Sequence, residues 1–139
     1  MKKFILLTLS ILIAFNFFSC SIYQGSGTKV DVPKEERELL KDMQSDIYKV
    51  MKEGIYDKLN GKMSYSSVQT SMDNAERQIK TKISTFNISL DLSDGTMSPK
   101  WICSVKLNSG NRYPLMYISV DLNSTYYVKH KHIGTYTIS

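Results

Sequence analysis

The sequence predicts an α+β domain: two helices, then a four-stranded antiparallel meander sheet on which they pack. Three observations carry that expectation. Apolar residues recur at helical spacing in two stretches, Leu39 to Met51 and Val68 to Ile83. The period then falls to two, beginning with Phe86, Ile88, Leu90 and Leu92. Turn-forming clusters punctuate the alternating half at Asp94-Gly95, Asn108-Ser109-Gly110-Asn111 and Asn123-Ser124.

The first helix opens at Asp31-Val32-Pro33, a capping residue and a proline suited to a first turn. Glu35, Glu36 and Glu38 follow where a helix start favours negative charge, and the acids of this helix read as a solvated face. Leu39, Met43, Ile47 and Val50 form its inward stripe, flanked by Leu40 and Met51. Gly54 is the expected stop, with a short turn over 55–59. Ser66-Ser67-Val68-Gln69 reads as a capping box that opens a second helix at 67–82. Val68, Met72, Ala75, Ile79 and Ile83 make its stripe, while Asp73, Glu76, Arg77 and Lys80 face water.

Four strands follow. In the first, Phe86, Ile88, Leu90 and Leu92 point inward and Asn87, Ser89 and Asp91 outward. Pro99 bars helix, and Trp101, Cys103, Val105 and Leu107 alternate beyond it. The third runs from Leu115 to Leu122 with Ile118, Val120 and Leu122 inward, and the fourth from Tyr126 to Ile138 with a break at Gly134.

The chain of 139 residues suits one core rather than two. Hydrophobic residues at 42% and charged residues at 22% are those of a globular protein. The formal charge of +5 falls to +3 without Lys2 and Lys3, and the remaining basic residues alternate with acids. That is a solvated surface, without the basic stripe of a nucleic-acid partner.

The first residues, MKKFILLTLSILIAFNFFSC, begin with positive charge and continue with an apolar run from Phe4 to Phe18. As a helix this run spans about 22 Å, against a hydrocarbon core of about 30 Å. It fits the core of an export signal. Phe17-Phe18-Ser19-Cys20 resembles the lipobox of bacterial lipoproteins. The resemblance implies a diacylglycerol on the Cys20 thiol, cleavage before Cys20 and an N-acyl lipid on the new amine. No cofactor beyond these lipids is expected. The resemblance divides the chain into a signal peptide at 1–19, a lipidated tether at 20–32 and a domain at 33–139. Two or three acyl chains hold a protein stably where one does not, since each buried CH2 contributes about 0.8 kcal/mol. The expected location is the bacterial cell envelope, at the outer membrane if the cell is Gram-negative. Ordinary cleavage before Ile22, guided by Ser19 and Ser21, and an uncleaved anchor remain open.

The order of elements resembles the cystatin-like and nuclear-transport-factor-like folds of small exported proteins. That likeness is one of topology, and topology does not carry function.

Candidate chemistry is sparse. His130 and His132, two apart in a strand, project from one face and would offer two metal ligands of the three or four a site needs. Lys129 and Lys131 alternate with them, the pattern of a charged edge strand. Of nine tyrosines, five crowd the strand half; these, Tyr113, Tyr117, Tyr126, Tyr127 and Tyr136, with Trp101, would line a concave sheet face able to hold a peptide, a glycan or a protein partner. Cys103 alternates with apolar residues and reads as a buried hydrophobe. Asp91, Asp94 and Asp121 are read as facing water. No nucleophile elbow, phosphate loop or dinucleotide fingerprint appears, so no catalytic residue is expected. The expected role is a non-catalytic binding or assembly module at the membrane. An envelope enzyme or metal binder using His130 and His132, and a protein inhibitor or immunity factor, are the alternatives.

Overall fold

The computed structural model describes residues 29–93 and 98–139. The expected signal peptide, Cys20 and the turn expected at Asp94-Gly95 lie outside the described residues. The elements run β1 (Lys29–Val30), α1 (Lys34–Gly54), a 3-10 turn (Tyr56–Lys58), α2 (Tyr65–Lys80), β2 (Asn87–Asp91), β3 (Lys100–Lys106), β4 (Arg112–Leu122), β5 (Val128–Thr135) and β6 (Thr137–Ile138). The class is α+β as expected, with two helices and an antiparallel sheet ordered β2-β3-β4-β5.

Helix α1 buries Leu40, Met43, Ile47, Tyr48 and Met51. Pro33 rather than Asp31 holds its N-cap position, without a side-chain cap; Glu36 N donates to Pro33 O at 2.9 Å. Val50 departs from the predicted stripe and is 46% exposed. It lies roughly 60° round the helix from Ile47, on a flank that borders a groove. The acids of α1 do not all face water either, because Asp46 is buried.

Helix α2 starts earlier than its sequence suggests. Ser64 Oγ accepts from Ser67 N at 3.1 Å, so Ser64 is the cap and Ser66 stands inside the first turn. Gln69 is therefore free of a capping role. The stripe of Val68, Met72, Ala75 and Ile79 is buried as predicted, and Ile83 beyond it is buried too.

Trp101, Cys103 and Val105 of β3 and Ile118, Val120 and Leu122 of β4 join both helices in one core. A register shift between Cys103 and Ser104 opposes β4 near Pro114, which places the bulge where a proline cannot donate to the ladder. On β2, Leu90 pairs in register with Trp101, yet Leu90 and Leu92 are each 46% exposed. They sit on the predicted face, at a corner of the sheet that α2 does not cover. Gly134 lies within β5 and does not break it; the interruption falls at Tyr136. A Cβ on Gly134 would meet the Tyr117 hydroxyl at 2.7 Å, so glycine makes room for that ring.

β1 pairs in parallel with β6, Lys29 opposite Thr137 and Val30 opposite Ile138. Val32 N donates to Ser139 O at 3.0 Å, and Ser139 N to Val30 O at 3.1 Å. Residues 29–32, expected in the tether, are thus held to the folded body, with Val32 and Ile138 buried together in its core.

Candidate functional site

At the uncovered corner of the sheet, Tyr65, Ser66 and Gln69 of α2 face Leu90, Leu92, Pro99 and Trp101 across a groove of about 430 Å3. Trp101 forms its floor, 2% exposed. The indole N–H donates to Gln69 Oε1 at 2.8 Å, and Gln69 Nε2 donates to Asp73 Oδ1 at 2.8 Å. This chain of side chains locks the amide and satisfies the buried indole. The walls are largely apolar, with Ser66 and Gln69 as polar residues on the α2 side. The Tyr65 hydroxyl is buried without a hydrogen-bond partner among the described residues. Such a groove suits an apolar group carrying one hydrogen-bonding atom.

The predicted aromatic surface does not assemble. Trp101 and Tyr113 are buried on the helix-covered side of the sheet, Tyr113 near Glu36 of α1 at 3.5 Å. Tyr117 lies on the other side, because consecutive strand positions alternate between faces. Its ring meets His132 at 5.6 Å and Tyr136 at 6.0 Å, and Lys100 Nζ stands 5.3 Å from its centroid. Tyr126 belongs to neither face. It occupies the β4–β5 turn with φ 58° and is 53% exposed, its turn tied by Asn123 Oδ1, which accepts from Thr125 N and Tyr127 N.

His130 and His132 are exposed on β5, opposite Asp121 and Ser119 in the β4 register. Among the described residues no third His, Cys, Asp or Glu completes a metal-ligating group with them. Lys131 turns to the opposite face, where its ammonium lies over the Tyr56 ring at 4.4 Å and donates to Tyr56 O at 2.9 Å. Cys103 is fully buried, and burial pushes its thiol far above the ordinary range, so it stays protonated at neutral pH.

A second groove, about 280 Å3, runs between α1 and the end of α2. Asp46, Ile47, Val50, Gln78, Ile79, Lys82 and Ile83 line it. Burial first, and then the charge of Asp42, raise the Asp46 carboxyl to about 7, while Lys49 and Lys82 pull it down. Sequence reasoning missed Asp46 and Tyr65. A faint signal existed for the first: Asp46 stands one helical turn before Val50, on the flank of the apolar stripe.

Among the described residues no helix is long and apolar enough to cross a membrane. Neither a protein-family model nor a curated protein nor a solved structure matches this chain.

Proposed function

We propose that this protein is a lipid-anchored binding or assembly module of the bacterial cell envelope, without catalytic activity, and that its site is the groove floored by Trp101. The groove carries the reading. Its largely apolar walls, the exposed Leu90 and Leu92 and the Tyr65 hydroxyl, without a partner among the described residues, suit an apolar side chain of a peptide or protein partner that also presents a polar atom. A glycan, with many hydroxyls, would find too few partners there. The leader supports the location: Phe17-Phe18-Ser19-Cys20 would place the lipids on Cys20, in the envelope and, if the cell is Gram-negative, at its outer membrane. The two helices precede the sheet and pack on one side of it, leaving the corner at β2 open.

The test uses the full chain in detergent micelles, presented to a random peptide library. Apolar and aromatic peptides are expected to be enriched, and Leu90→Glu to weaken them at least tenfold. Failure to enrich any sequence, or equal binding by Leu90→Glu, removes the groove as the site. Location is checked separately: Cys20→Ser is expected to leave the membrane fraction, and mass spectrometry of the mature N-terminus to find an acylated Cys20.

A further inference from the structure

Asp46 is 3% exposed, and neither of its carboxylate oxygens has a hydrogen-bond partner among the described residues. Buried carboxylates are ordinarily paired or hydrogen-bonded, because desolvating an unmatched one is costly. Two cations act on it from nearby, but the raised carboxyl shows that burial outweighs them. On α1, Asp42 repels and Lys49 attracts; after α2, Lys82 attracts from an exposed position. Burial, and then Glu38, raise Asp42 as well, so negative charge extends along positions 38, 42 and 46, one turn apart. Val50 continues that row as an exposed apolar residue, and Ile47 and Ile79 complete the adjoining wall.

We propose that the α1–α2 groove binds a monovalent organic cation on a short apolar stem, an alkylammonium whose charge pairs with Asp46 and whose carbons lie against Ile47, Val50 and Ile79. A hard divalent ion would require six or more oxygen ligands, and one carboxylate does not provide them. An ammonium needs one acceptor and apolar contact. The site is separate from the groove at Trp101 and does not rest on its role. Pairing requires the ionised carboxylate, so binding displaces the proton that Asp46 holds below about pH 7.

The probe is n-butylammonium chloride, titrated into the full chain in detergent micelles at pH 6 and pH 8. Amide NMR shifts at residues 46–50 and 78–83 report binding, and n-butanol is the control with the stem but no charge. Saturable shifts are expected, with a dissociation constant about tenfold lower at pH 8, the ratio of ionised fractions for a group titrating at about 7. Asp46→Asn is expected to abolish them. Val50→Lys keeps the acid, places an ammonium one turn away at an exposed position, and is expected to block the probe from within the chain. Absence of saturable shifts, equal response to n-butanol, equal affinity at the two pH values, or binding retained in either variant overturns the proposal.

Discussion

At the start of α2 a buried indole N–H finds the Gln69 amide, whereas beside the end of α2 the buried Asp46 carboxylate of α1 finds no donor among the described residues. The two ends of one helix therefore border grooves of different character. At the first end the polar atoms of the floor are matched within the chain, which makes Trp101 and Gln69 part of the scaffold. The Tyr65 hydroxyl is left without a partner among the described residues. At the second end the central polar group itself has no hydrogen-bond partner among the described residues. A matched polar group steadies a fold, and an unmatched one costs stability until something arrives to pair with it. Burial alone does not distinguish the two residues; partners do.

The largest effect expected from breaking this contrast is at the matched end. Trp101→Ala removes the floor and leaves the Gln69 amide without its donor, a loss of about 3–5 kcal/mol, read as a lower midpoint in urea denaturation. At the unmatched end the sign reverses. Asp46 has a folded-state value near 7 against an ordinary 3.8, so between those pH values the folded chain holds a proton that the unfolded chain has released. The stability this contributes is fully present below about pH 4 and is lost as pH rises through 7. Asp46→Asn, which cannot ionise, is therefore expected to stabilise the protein at pH 8 by about 1–3 kcal/mol, after allowance for water in the groove. The gain should vanish near pH 4. Denaturation curves across that range check it, and a gain of the same size at both ends of the range would contradict it.

Smaller effects sharpen the comparison. Ser64→Ala removes the cap that sets the Tyr65 wall and is expected to cost about 1 kcal/mol, while Ser66→Ala stays within about 0.5 kcal/mol. Equal losses would return the cap to the position that the Ser66–Gln69 pattern suggests. Lys82→Met takes away one of the two charges that lower Asp46. It should shift the pH midpoint of the Asp46 transition upward by a fraction of a unit, visible in the carboxyl resonance by NMR.

Helix and strand membership was legible wherever spacing alone decides it. The stripe of Val68, Met72, Ala75 and Ile79 and the alternation of Trp101, Cys103 and Val105 both appear as read. The cap of α2 was misplaced because three serines, Ser64, Ser66 and Ser67, compete within four positions and only backbone geometry chooses among them. The site was legible in part. Trp101 stood out as the single tryptophan, but its place under Gln69 and Leu90 did not. Tyr113, Tyr117 and Tyr126 looked alike in the sequence and were separated by strand phase and by a turn.

The sequence by itself determined the order of two helices and an antiparallel sheet, since periods of 3.6 and two are local properties of the backbone. Tertiary structure alone decided that Lys29 and Val30 join the last strand, that α2 stops short of Leu90, and that Asp46 is enclosed. Each of those outcomes depends on which distant segment covers a surface. No spacing within one element carries that information.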